Sequence, residues 1–254
     1  CRPINERSRF LAETWLRIGE YHFDYDFGRH GLDASISAYR HVLTMQDSPY
    51  YDKALYKLAW AYYRADQYVE AIRHFSMLVD FADRQRERTG RTGSELRQEA
   101  IQYLGISFAE TDWNNDQVDD PESGIQRIQN PNMLPQDRRW TREVYFQLGD
   151  IYFDQAKYPQ AIEVYELALR RWPNAPEAPE VTEKIATAHQ RNNAFEQAIT
   201  ARGRLAGFGE GTGWWNANVD RPDVLRRAER LAESALIETA INHSHWASPA
   251  PIEL

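Results

Sequence analysis

One helical signature occurs five times in this chain, and no other feature narrows its fold as far. A bulky side chain is followed after three positions by an aliphatic one, then at once by glycine or alanine, and three positions later by a ring. The occurrences are Trp15-Ile18-Gly19-His22, Leu55-Leu58-Ala59-Tyr62, Ile101-Leu104-Gly105-Phe108, Tyr145-Leu148-Gly149-Tyr152 and Thr182-Ile185-Ala186-His189. Residues three and four apart share one face of a helix, so each set is a stripe that must be covered by a neighbour. The small residue in its middle lets another helix come close. A second helix follows at fixed offsets. Ala71, Phe75 and Leu78 lie twelve, sixteen and nineteen residues after Ala59. Ala161, Tyr165 and Ala168 keep those offsets from Gly149, and Ala198, Arg202 and Leu205 keep them from Ala186. After Gly19 the equivalents Ser35, Tyr39 and Val42 come four residues late, which a longer hairpin loop absorbs at little entropic cost. The pattern predicts an all-α chain of helical hairpins.

The best-preserved copy runs from Arg142 to Ala175, with Tyr158 and Pro159 at its turn and Pro173 at its end. These residues resemble the tetratricopeptide repeat, whose pattern places W-x2-L-G-x2-Y, then A-x3-F, then P over about 34 residues. The resemblance implies a right-handed α-solenoid of about five such helix pairs plus a C-terminal packing helix. The pairs are expected over residues 10–48, 50–84, 95–131, 141–175 and 178–208, forming a single solenoid over 1–254, with the last helix over 221–246. That helix would carry Leu225, Ala228, Leu231, Ala232, Ala235 and Leu236 on one side and cover the apolar end of the stack.

Three stretches depart from the repeat. Residues 83–94, with four arginines among acids, read as a solvent-exposed connection or an extension of the preceding helix. The third pair carries an acidic insertion at 110–122. There Asp120 is expected to cap a short helix that begins at Pro121, with Asn130-Pro131 ending it. Within the insertion Asp112, Asn114, Asp116 and Asp120 alternate, with Val118 placed to offer its carbonyl, a spacing that could converge on calcium. Gln117 replaces the expected turn glycine, and Ser123 the closing acid, so a metal-free acidic loop is the competing reading. Finally, Gly207 to Trp215 reads as a glycine-rich loop tucked down by Trp214 and Trp215. It lacks the preceding strand and the lysine of a phosphate-binding loop.

Composition excludes several functions. A net charge of −8 argues against general binding to nucleic acid or anionic lipid, and no apolar run is long enough to span a bilayer. Cys1 is the single cysteine, so no internal disulfide can form. It is either the edge of a domain or a lipid-bearing first residue. No nucleophile with an adjacent base is signposted, and His243 and His245 fall on different faces of a helix. The chain reads as a non-enzyme, with no cofactor unless the acidic loop holds calcium.

In tetratricopeptide proteins the first helices of successive pairs line a concave surface that binds peptides, and the resemblance carries that role onto these positions. The first pair supplies Glu13, Leu16, Glu20 and Phe23, and the second supplies Lys53, Tyr56, Trp60 and Tyr63. The third offers Glu99, Gln102 and Ile106, the fourth Glu143, Phe146, Asp150 and Phe153, and the fifth Glu183, Thr187 and Gln190. Such a groove is acidic and aromatic, suited to a protein or peptide partner with basic residues or apolar anchors. The basic clamp with which some family members grip carboxylate termini is absent, because Leu16, Glu20, Tyr56, Trp60, Gln102 and Ile106 stand in its place. The aromatic helices and the Asp112–Asp116 insertion resemble those of Gram-negative, myxobacterial-type envelope proteins. That likeness implies an assembly scaffold in the periplasm or at the inner leaflet of the outer membrane. The alternatives are a homo-oligomeric unit joined through Trp214, Trp215 and the last helix, or a regulatory domain of a larger protein.

Overall fold

Two helical hairpins close where a glycine on the first helix meets a tyrosine ring on the second. The computed structural model describes residues 8–26, 28–91 and 93–246, with side chains to residue 238. Twelve α-helices and no strand occur among them, so the chain is all-α. It divides into two compact units, one ending at Leu148 and the other beginning at Gly149.

The first unit holds α1 (Leu11–Tyr25), α2 (Arg29–Leu43), α3 (Tyr51–Arg64), α4 (Tyr68–Thr89), α5 (Arg97–Ala109), α6 (Gly124–Ile128) and the start of α7 (Thr141–Asp154). From α1 to α6 each helix packs on the next in sequence. Gly19 lies against the Tyr39 ring so closely that a methyl group there would overlap it. The signature stripes of α3 and α5 are buried, with Leu55, Leu58, Leu104 and Phe108 among the least exposed side chains. In α1 the stripe is only half covered at Trp15, Ile18 and His22, and Leu16 is buried in their stead. α4 continues as a helix through residues 83–89 and ends at Gly90 in the left-handed conformation.

Three hairpins share one turn. Gln67, Lys157 and Ala194 donate their backbone N–H to the carbonyls of Tyr62, Tyr152 and His189 at 2.8–2.9 Å. Between donor and acceptor, Asp66, Ala156 and Asn193 take positive φ of 57°, 58° and 59°. This is a six-to-one closure that satisfies a helix-end carbonyl through one left-handed residue. Asp and Asn tolerate that conformation; alanine pays for it.

The third pair has lost most of its second helix. α6 spans five residues, and its N-cap is Ser123 rather than Asp120. Ser123 and Gln126 form a reciprocal capping box, Ser123 N–H donating to Gln126 Oε1 at 2.7 Å and Gln126 N–H to Ser123 Oγ at 3.3 Å. Asp120 is unavailable as a cap because its carboxylate is drawn to Arg127. An irregular strap over residues 129–140 fills the vacated space. It buries Leu134 and Trp140, whose indole N–H reaches Asp80 at 2.8 Å, and Thr141 Oγ1 donates to the Pro135 carbonyl at 2.6 Å.

In the second unit the end of α7 is followed by α8 (Tyr158–Arg171), α9 (Ala178–Arg191), α10 (Phe195–Gly203), a 3-10 turn (Arg204–Phe208), α11 (Gly213–Ala217) and α12 (Pro222–Trp246). Gly149 lies against the Tyr165 ring as Gly19 lies against Tyr39. The glycine-rich stretch is not a loop but two short helical turns, capped by Thr212, which accepts from the Trp215 N–H. Trp214 is buried and its indole N–H donates to the Ala175 carbonyl at 2.7 Å, while Asn218 Nδ2 donates to the Asn174 carbonyl at 3.1 Å. Two polar anchors thus pin the turn before α9, which explains why so many glycines can be held in order. α12 rests on α9, α10 and the 3-10 turn through Val224, Leu225, Ala228 and Ala235. Leu236, expected on that face, points to solvent at 72% exposure, because Ala235 takes the contact one residue earlier.

Candidate functional site: an aromatic ledge between two carboxylates

α3 and α5 bury one face of each helix in the core, and an adjacent face carries a run of half-buried aromatic rings. Trp60 is the centre. Its ring lies edge-on to Tyr103 at 4.3 Å, to Tyr63 at 5.8 Å and to Tyr56 at 6.4 Å. Phe75 supports the ledge from α4, stacked on Tyr103 at 5.7 Å. A fixed cluster of this kind offers contact area at little entropic cost, since each ring has few rotatable bonds and its neighbours hold it.

The two ends of the ledge are acidic. Tyr56 donates its hydroxyl to Glu99 Oε1 at 2.6 Å, and Tyr63 donates to Glu110 Oε1 at 2.5 Å. Burial and the adjoining carboxylates raise both phenol pKa values above the ordinary range, so the hydroxyls keep their protons and remain donors. Among the described residues no lysine or arginine pairs with either carboxylate. Two cations of α3 are engaged elsewhere: Lys57 and Arg64 lie over the Phe23 ring at 5.6 and 4.5 Å.

The other positions expected on the groove have varied fates. Lys53 and Gln102 are exposed, and Glu20 accepts from Arg17 at 2.8 Å. Leu16 and Phe146 are core residues, at 2% and 7% exposure: α1 buries Leu16 in place of part of its stripe, while α7 buries Phe146 beside an intact stripe of Tyr145, Leu148 and Tyr152. Glu143 is not a free acid. Arg97 holds it at 2.9 Å with two nitrogens while also reaching Asp83 at 2.5 Å, and these partners push the guanidinium pKa up. In the second unit Asp150 accepts from Tyr165 and Lys184, and Phe153 is half-buried beneath Arg191 at 4.8 Å. Tyr103 and Glu110 escaped the sequence reading. Tyr103 follows Gln102 directly, so a one-residue change of face would have found it; Glu110 lies beyond the end of α5 and has no periodic signal.

The acidic insertion closes on a cation of its own. Arg127, almost wholly buried, donates to Asp120 Oδ2 at 2.9 Å and to the Glu110 carbonyl at 2.8 Å, with its guanidinium 4.2 Å from the centre of the Trp113 ring. Other side-chain oxygens of the insertion accept from backbone amides: Asp112 from Asp116 and Gln117, Asn114 from Asp116, and Asp116 from Val118. Among the described residues no three histidine, cysteine or acidic side chains converge as a metal site. Cys1 lies outside the described residues. No helix among them is long and apolar enough to cross a membrane.

Two tetratricopeptide-repeat family models match the chain, one over residues 53–81 and the other over 146–206. No curated protein matches it. Solved structures similar to it include the MamA protein, 17% identical with 85% of this chain and 96% of that one covered, at a TM-score of 0.34. Another is a thermophilic TPR protein of Thermus thermophilus, 16% identical over 89% and 99% of the two chains, at 0.32. Repeats of this family mediate protein–protein interaction and scaffolding. With glycines seated on tyrosine rings in two helix pairs, and with the family's models lying on two stretches where such pairs are regular, this chain is all-α and carries tetratricopeptide repeats over residues 53–81 and 146–206.

Proposed function

We propose that this chain is a non-catalytic scaffold, and that its first unit holds a protein or peptide partner along the α3–α5 face. The observation that carries the reading is the ledge around Trp60: aromatic rings braced by the core yet half-open to solvent, with carboxylates at both ends that meet no lysine or arginine among the described residues. A surface with rigid apolar area at its centre and charge at its rim is the anatomy of a binding patch. Acids not matched by lysine or arginine favour a partner that brings basic residues. Several charged groups elsewhere have structural partners, Arg97 between Asp83 and Glu143 and Arg202 between Glu183 and Glu238 among them.

The test is affinity capture from extracts with the wild-type chain and Trp60→Ala in parallel, each checked for helicity by circular dichroism. The partner retained by the wild type is expected to be lost from the variant with its helical signal unchanged. Equal retention by both proteins refutes this face as the binding surface.

A further inference from the structure

Resting on that reading, we infer that the ledge recognises an extended segment with two basic side chains about three to five residues apart and an apolar residue between them. The spacing follows from the helices. Tyr56 and Tyr63 are separated by seven residues of α3, about 10 Å along its axis, and Glu99, near the start of α5, and Glu110, the residue just past its end, by eleven positions, about 16 Å. An extended chain advances about 3.3–3.6 Å per residue, so it covers the distance between the two acids in about three to five steps. Tyr56 is tied to Glu99 and Tyr63 to Glu110, so the tyrosines hold the acids at fixed ends instead of letting them swing together.

The chemistry selects the occupant. Each carboxylate has accepted one hydroxyl and retains lone pairs for a second donor, which a guanidinium or ammonium can fill. Aromatic faces beside those acids attract the same cations. Between the ends, Trp60 and Tyr103 present ring surface and no charge, which suits an apolar side chain. An acidic segment meets like charge at both ends and is excluded.

The probes are labelled synthetic peptides of alanine, serine and glycine with one central leucine, read by fluorescence anisotropy. One carries two arginines about four residues apart, one about ten apart, one a single arginine, and one two glutamates in the closer spacing. The closer pair is expected to bind most tightly, to weaken with salt, and to lose about tenfold in Glu99→Gln and again in Glu110→Gln, with helicity unchanged. The glutamate peptide should not bind. Equal binding of the two arginine spacings, no loss in either glutamine variant, or no binding of any basic peptide overturns the inference. The capture experiment with Trp60→Ala reads out independently, so the ledge can stand as a binding face even if this spacing rule falls.

Discussion

The Tyr165 hydroxyl donates to Asp150 Oδ1 at 2.5 Å, and the Lys184 ammonium reaches the same oxygen at 2.5 Å. The ring that carries this hydroxyl is the one Gly149 makes room for, so close approach and polar closure act through one side chain. The first pair repeats the geometry without the bond. Tyr39 lies on Gly19, but Glu20 turns to Arg17, and the buried Tyr39 hydroxyl has no protein partner among the described residues.

The two tyrosines should therefore respond differently to loss of oxygen. Tyr165→Phe removes a bond to a charged acceptor and is expected to cost about 2 kcal/mol. Tyr39→Phe deletes a buried hydroxyl that gains nothing, and should be neutral or slightly stabilising. Urea denaturation of both variants checks the contrast, and equal losses would show that the Asp150 contact contributes nothing.

Ala156 occupies the left-handed place of its turn at φ 58°. Replacing it with glycine removes the Cβ penalty at the position but adds entropy to the unfolded chain, and the net expectation is a gain of about 1 kcal/mol. Asn193→Ala, at the equivalent turn, should lose a similar amount. Thermal melts of the two proteins should shift in opposite directions.

Arg127 is the cation around which the acidic insertion folds. Arg127→Leu leaves Asp120 and the Glu110 carbonyl without their donor and is expected to cost about 3–5 kcal/mol. The loop over 111–120 should then become the first site cut in limited proteolysis. Calcium is expected to leave the melting temperature of the wild type unchanged, since Asp120 is already paired; a saturable upward shift would show that the loop takes the ion after all.

His74 is buried against the Tyr62 ring at 5.1 Å, its Nδ1 2.8 Å from the Glu70 carbonyl, and burial lowers its pKa. The folded protein thus binds this proton less readily than the unfolded chain, whose histidine titrates near about 6.5. Its contribution is full above about pH 6.5 and is lost as the pH falls from there toward the depressed folded value. His189 acts in the same sense, whereas Glu183, raised by burial, acts oppositely at more acid pH. Stability measured from neutral to mildly acid pH should fall, and His74→Gln should flatten part of that slope. An unchanged slope would remove His74 from the account.

Much of the fold can be read from one-dimensional spacing. Gly149 and Tyr165 sit sixteen residues apart in the chain, and that interval already implies a hairpin in which one nests on the other. The site was only partly legible. Trp60, Tyr56 and Tyr63 follow from the same periodicity, but Leu16 and Phe146 turned inward, because helical faces are separated by one residue and packing decides which side wins. The partners of charged groups were hidden for a different reason. Arg97 finds Glu143 across 46 positions and Tyr63 finds Glu110 across 47, intervals that no local pattern encodes.

Spacing along the chain by itself determined that this protein is made of helices, where they pair, and which small residues the pairing needs, because those properties depend on neighbours within a few turns. Tertiary structure alone decided which acids stay free. Asp120 and Glu143 lost their availability to Arg127 and Arg97, while among the described residues Glu99 and Glu110 met tyrosine hydroxyls and no lysine or arginine. A carboxylate's availability depends on whichever donors the fold carries to within a few ångströms, and distance in sequence says nothing about that.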